Sequence, residues 1–382
     1  MINEVTQGPD SKVTENPRVC VLSLREIRKR VSRCVTYEFE DVICEIDEVE
    51  LLTLVYRPIT DLSFSTRVAR KIVKRLTGYD YPKPYVSEVR LKRDYDIFFV
   101  MCQQTSDLLL LEKVEGWKER CRNSICWLEE VWIGELDKYP WILDILSKFD
   151  YVVLSCNGTV QPMQDAIKRP CHYLPPGIDT IRFSPYPIPP LRCIDVLSLG
   201  RRAQIIHQSL FKMAEEGQIF YHYDSCPGPE PEDHREHRSL IANIAKRSKY
   251  FLVNPAKFDR PEQTEGQSEI GYRFFEGAAS GTVMIGESPK NEVFSEHFHW
   301  DDAVIPAFSN PPNVAEILSD LNSQTDRLEE IRKNNVIQTH LLHDWVYRWR
   351  AVLDFIGMKP MPALEAREMH LRRLVEIAST QT

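Results

Sequence analysis

A basic start followed by an apolar stretch is missing from the first 17 residues, which carry acids and prolines, so no secretory leader is expected and 1–17 reads as a disordered start. The sequence also lacks any apolar run of the ~18 residues that a membrane-spanning helix needs. The ten cysteines, from Cys20 to Cys226, contain no CxxC pair, and most sit in apolar settings such as VCVL, VICEI and SICW. They read as reduced core thiols, which places the protein in the cytoplasm. Net positive charge is missing too. The 48 Lys and Arg against 56 Asp and Glu give −8, so nucleic acid is not an expected partner. No internal repeat of fixed period is visible beyond an alternation of strands and helices.

What is present is a globular composition, 43% hydrophobic and 27% charged, over 382 residues. That length is too great for one core of ordinary size and predicts two domains. Short continuous apolar runs at 18–24, 51–56, 97–102, 124–128 and 151–155 read as buried strands. Helical stretches at 25–33, 63–76, 105–111 and 158–168 lie between them, a pattern that predicts a parallel sheet covered on both faces. Six prolines in 175–190 (PPGIDTIRFSPYPIPP) cannot continue either element. The alternation then restarts with strands at 193–199, 219–223 and 250–254 and helices at 203–216 and 236–247. The chain ends in helices over 313–353, with a break near 334–335, and over 363–378. The expected domains are therefore 18–174, a hinge at 175–190, 191–356, and a terminal helix over 357–382 packing back on the first domain.

The segment 270–281, IGYRFFEGAASG, reads as a short helix that runs through small residues directly into a buried strand, TVMIGE. Gly266 and Gly271 leave the backbone before it open, so the first helical amides are free to face phosphate oxygens, with Arg273 adding a fork of donors. Glu276 lies one turn after Tyr272 on the same face, suited to accept hydrogen bonds from ribose hydroxyls. Arg201 and Arg202 follow the apolar strand DVLSLG directly, where ligands collect in open parallel sheets.

GYRFFEGAASGTVMIGE resembles the donor-binding element of retaining GT-B glycosyltransferases of the group-one type. In that family two glutamates with seven residues between them flank the helix start; the second matches Glu276, and the first falls on Ser268, with Glu269 adjacent. DVLSLGRR resembles the opening of the family's second domain, with Gly200 and Arg201 matched and Arg202 in place of its lysine. LPPGIDTIRFSP resembles its interdomain link, and the likeness spans about 172–356. The resemblance implies an α/β fold of two Rossmann-like domains facing across a cleft (GT-B), with a C-terminal helical extension. It implies transfer of a sugar, with retention, from a nucleoside diphosphate sugar donor to an unidentified lipid-linked or saccharide acceptor, without a metal or other cofactor. Glu269 and Arg201 are the catalytic candidates it implies. Gly200, Arg201, Arg202, Ser268, Gly271, Tyr272, Arg273 and Glu276 are the donor-binding ones. A non-catalytic nucleotide-sugar-binding protein of the same fold, or a sugar-nucleotide epimerase, fits the same segment.

Three other patterns read as surface chemistry. Asp94-Tyr95-Asp96 has DxD spacing but precedes an apolar strand between basic residues, and the pairs His234/His237 and His297/His299 have no third ligand at suitable spacing, so no metal site is expected. Basic helical faces at Arg25, Arg28, Lys29, Arg30 and Arg33 and at Arg67, Arg70, Lys71, Lys74 and Arg75 point to peripheral contact with the inner membrane face.

Overall fold

A computed structural model describes residues 16–57, 85–136, 138, 140–225, 228–306 and 314–380. The helical stretch expected at 63–76, with its basic face, and residues 1–15 lie outside these.

The first domain is built on a parallel six-stranded sheet of β1 (Val19–Ser23), β2 (Val49–Thr53), β3 (Tyr95–Gln104), β4 (Cys121–Glu130), β5 (Tyr151–Leu154) and β6 (Cys171–Tyr173), in the order β6-β5-β4-β3-β1-β2. Register is set by Val19 opposite Val49 on one side and Ile97 on the other. All five residues of β1 are buried, as a strand covered on both faces requires. Alternation along β3 sends Phe98 into one core layer with Leu22, Leu128 and Val152, and Phe99 into the other with Val21, Trp127 and Val153.

The second domain repeats the plan with β7 (Ile194–Ser198), β8 (Tyr221–Tyr223), β9 (Ser248–Val253), β10 (Val283–Gly286) and β11 (Ile305–Pro306), parallel in the order β8-β7-β9-β10-β11. The helices that matter below are α1 (Cys34–Ile46), α2 (Val160–Ile167), α3 (Gln204–Glu215), α4 (His234–Lys246), α5 (Tyr272–Ala279), α6 (Thr325–Leu342), α7 (Trp345–Phe355) and α8 (Pro362–Thr380).

Three sequence expectations are corrected. Residues 25–33 form turns and one 3-10 turn, and the helix begins at Cys34. The reason is ionic: Arg25 folds back on Glu40 and Asp41 at 2.8 and 2.9 Å, and Arg33 is bidentate to Asp107 at 2.7 and 3.1 Å. Two of the five cations in that basic run are thereby drawn inward. The helical end does not break at 334–335; α6 runs through, and buried Asn335 accepts from Trp300 Nε1 at 2.7 Å and donates to the Thr282 carbonyl at 2.8 Å. The chain also returns to the first domain earlier than 357. Asp344 caps α7, and Trp345, Trp349, Val352 and Leu353 enter the first domain's core, Trp345 stacking on Phe39 at 4.5 Å. Leu364 and Leu371 of α8 join the same core, while Arg367 ties Asp344 to the hinge residue Asp179 at 2.8 Å each. The tail therefore clamps both domains.

Candidate functional site

The carboxyl ends of the two sheets face each other. After β4, Glu130 pairs with Lys257 at 3.3 Å, and the Ile133 amide donates to Gln267 Oε1 at 3.2 Å. After β5, the Gly158 amide at the start of α2 donates to the Glu269 carboxylate at 3.0 Å. After β1, the Val31 amide donates to the Pro229 carbonyl at 3.0 Å. Loops following parallel strands are thus the material of the crevice, as open α/β sheets dictate.

On the second domain, the turn after β7 requires a left-handed glycine: Gly200 has φ +77°, and its amide donates to the Asp224 carboxylate at 3.0 Å. Arg201 pairs with Asp259 at 2.9 Å; Arg202 donates to the Asp224 carbonyl at 2.6 Å and lies over the Tyr223 ring. Gly271 caps α5, with the Asn254 carbonyl 3.4 Å from the position a Cβ there would take. The Arg273 guanidinium comes against Gly200, with Nη2 3.4 Å from the position a Gly200 Cβ would take. Arg273 and the Gly200–Arg202 turn, distant in sequence, are therefore neighbours.

Glu276 is 1% exposed, and its two oxygens are occupied by Arg273 and by Arg238 of α4, the latter at 2.5 Å. Arg238 also donates to Glu38 of α1, in the first domain, at 2.8 and 3.4 Å. Burial raises the Glu276 pKa, but Arg273 and Arg238 outweigh it and hold the carboxyl below its ordinary value. The two glutamates raise Arg238 further above its own despite burial. Ser268 turns its carbonyl to Asn291 Nδ2 at 2.8 Å. Glu269 is buried, and burial raises its pKa although Gln267 and the Asn157 and Gly158 amides oppose it. The Tyr272 hydroxyl is buried beside Glu129 at the end of β4.

Sequence reasoning missed Glu38, Arg238 and Glu129. Glu129 is 4% exposed, accepts from Thr36 Oγ1 of α1, and is pushed up to about 7 by burial, with Arg33 and its hydrogen-bonding neighbours pulling the other way. A carboxyl raised in the folded state binds more protons than its unfolded counterpart between pH ~4.5 and ~7, so its contribution to stability falls through that window and is flat above it. Glu129→Gln keeps an acceptor for Thr36 and removes the penalty. Its urea midpoint at pH 8 is expected to exceed that of the unsubstituted protein by up to ~3 kcal/mol equivalent, the gap closing towards pH 4.5. A gap independent of pH would contradict the assignment.

Among the described residues, no group of three or more His, Cys, Asp or Glu is placed to hold a metal ion, and no helix is long and apolar enough to cross a membrane. Asp94 and Asp96 pair with Arg120 and Arg122 at 3.1 and 3.5 Å, and His234 with Asp41 at 2.8 Å.

No curated protein matches the sequence. Among solved structures, the chain is similar to Anabaena HepE in complex with UDP-glucose, at 11% identity over 89% of this chain and 99% of that one, TM-score 0.48. It is also similar to an α,α-trehalose-phosphate synthase (UDP-forming) from Burkholderia vietnamiensis, at 12% identity over 89% and 100%, TM-score 0.49. Residues 212–354 match the model of a family described as glycosyl transferase-like, a span that runs from within α3 to within α7 and takes in Arg238, Arg273 and Glu276. The second of the two facing Rossmann-like sheet domains is thus similar, over residues 212–354, to the glycosyl transferase-like family.

Proposed function

We propose that the chain is a glycosyltransferase that takes a sugar from a nucleoside diphosphate sugar held in the interdomain crevice and passes it to an acceptor on the first domain. The observation that carries the reading is the convergence of Arg273 on the Gly200–Arg202 turn, at the carboxyl edge of a domain that matches a glycosyl transferase-like family. Leaving-group charge is the main barrier in such a transfer. Arg201, Arg202, Arg273 and the first amides of α5 are suited to offset it without a metal. In this reading Glu276, buried between two arginines, acts through Arg273 as a positioning residue, and Glu269 sits nearest the first domain. Retention at the anomeric carbon and the involvement of Ser268, Gly271 and Tyr272 in donor binding are carried by the resemblance of 270–281 to the group-one enzymes.

With Lys257, Gln267 and Glu269 bonded across the crevice, access for a donor requires the domains to part. One observation favours a second reading, a non-catalytic nucleotide-sugar-binding protein. Both candidate glutamates have their carboxylates engaged by protein groups.

Thermal unfolding with UDP, GDP and ADP, followed by transfer and hydrolysis assays with the corresponding sugars, tests both. One nucleotide is expected to stabilise the protein by ~2.7 kcal/mol at a hundredfold excess over its Kd. Stabilisation with turnover supports the enzyme, and stabilisation without any turnover supports the binding protein. No stabilisation by any of the three at millimolar concentration removes the site.

A further inference from the structure

A chain of four charged side chains crosses from the first domain to the crevice. Glu38 of α1 accepts from Arg238 of α4, Nε to Oε2 at 2.8 Å and Nη2 to Oε1 at 3.4 Å. The remaining Arg238 nitrogen, Nη1, donates to Glu276 Oε1 of α5 at 2.5 Å, and the other Glu276 oxygen accepts from Arg273. The first three members are buried, while Arg273 is part-exposed beside the Gly200 turn. The signs alternate, so each inner charge is shared between two neighbours.

Only the first link joins the two domains. Arg238, Glu276 and Arg273 all belong to the second, so parting the domains takes Glu38 from Arg238 and leaves the other two links in place. Arg238 then has one carboxylate, Glu276, where it had two. A buried guanidinium short of counter-charge is costly, and it recovers most by drawing both Glu276 oxygens onto its own fork. Glu276 can follow only by releasing Arg273. Arg182, the other cation near Glu38 at 3.9 Å, keeps Asp179 at 3.2 Å.

We propose that Glu38 is a positioning residue for Arg273. Seated on Arg238, it leaves one Glu276 oxygen to hold the crevice cation; withdrawn, it sets that cation free to pair with a diphosphate. This role rests on the reading of the crevice as a nucleoside diphosphate site, and it makes the hold on the nucleotide depend on how closely the first domain is engaged. A carboxylate already on Arg273 competes with a phosphate for the same guanidinium, so the parted form binds a nucleoside diphosphate more tightly than the engaged one.

Calorimetric titration of UDP, GDP and ADP into the full chain tests this, with a urea curve for each variant. Glu38→Gln keeps an oxygen for the Asp179 amide and Trp345 Nε1 but deletes the charge that holds Arg238. It is expected to bind the preferred nucleotide about fivefold more tightly, the worth of one part-exposed ion pair, while losing stability. A role in folding alone would weaken binding or leave it unchanged. Arg273→Ala is expected to bind weakly and to show no further change when Glu38→Gln is added. Asp41→Asn, which cuts the neighbouring interdomain tie to His234 and Arg235 at 2.8 Å each, is expected to keep the original affinity. If Glu38→Gln does not fold, Glu38→Asp, which keeps the charge and shortens its reach, is read in its place. No gain in affinity with Glu38→Gln, an equal gain with Asp41→Asn, or a gain that survives Arg273→Ala overturns the role of Glu38 and leaves the crevice site standing. No binding of any of the three nucleotides, or affinity unaltered by Arg273→Ala, removes the site and this role with it.

Discussion

Arg273→Ala is expected to lower nucleoside diphosphate affinity and kcat/KM by about 100- to 1,000-fold, the effect of deleting one preorganised donor to developing anionic charge. The guanidinium has the position for that role. Glu276 fixes one end from inside the protein, while the other stands against Gly200 with the side chain 34% exposed towards the crevice. A donor held in place before the ligand arrives needs no reorganisation when charge develops on the leaving diphosphate. Stability should change little by comparison, because Glu276 keeps Arg238 as a partner after the substitution. Arg273→Lys is expected to recover only part of the loss, since an ammonium cannot offer two parallel donors to a carboxylate and a phosphate together. Nucleotide titration and steady-state kinetics on the same preparations, with a urea curve for each, separate the two effects. Affinity and turnover within threefold of the original protein would sink the assignment.

The sheets and the α5–β10 segment were legible in the sequence because each rests on local chemistry. Continuous apolar runs such as IFFVMC can only be doubly covered strands. PPGIDTIRFSPYPIPP carries no more than the one helical turn Thr180–Phe183, and GYRFFEGAASG carries its small residues where a helix must lie close to a sheet. What was not legible is what depends on distant partners. The α1 segment, CVTYEFEDVICEI, mixes β-branched and aromatic residues with four acids at 38, 40, 41 and 45 and reads as neither a clean strand nor an amphipathic helix. The acids at 38, 40 and 41 are buried because Arg25, Arg235 and Arg238 come from elsewhere to meet them. Likewise, nothing local in HREHRSL marks Arg238 as the residue that would engage Glu276, and nothing in WVYRWRAVLDF says that its two tryptophans fill the first domain's core and not the second's. The geometry of Glu276 follows from the same cause, since its partner Arg238 lies 38 residues away on another helix.

Arg238→Ala should be the most destabilising single change in the interface, by about 3–5 kcal/mol, the cost of breaking a buried ion pair from one side. Arg238 is 3% exposed and stands between two carboxylates from different domains, Glu38 and Glu276. Glu38 is itself a junction, accepting the Asp179 amide of the hinge at 2.9 Å and Trp345 Nε1 of α7 at 3.2 Å. Without the guanidinium, Glu276 retains Arg273, whereas Glu38 keeps those two neutral donors and the more distant Arg182 at 3.9 Å. The loss therefore falls on the Glu38 side, where hinge, α1 and α7 meet, and the expected signature is separation of one unfolding transition into two as the domains uncouple. Pairing Arg238→Met with Glu38→Gln tests the mechanism, because it removes the stranded charge together with its partner. The double variant is expected to regain at least half of the lost stability, as removal of both members of a buried pair usually costs less than removal of one. If the double variant is no more stable than Arg238→Ala, the penalty comes from lost packing over the Phe183 ring, which the guanidinium covers at 4.8 Å, and not from the uncompensated glutamate.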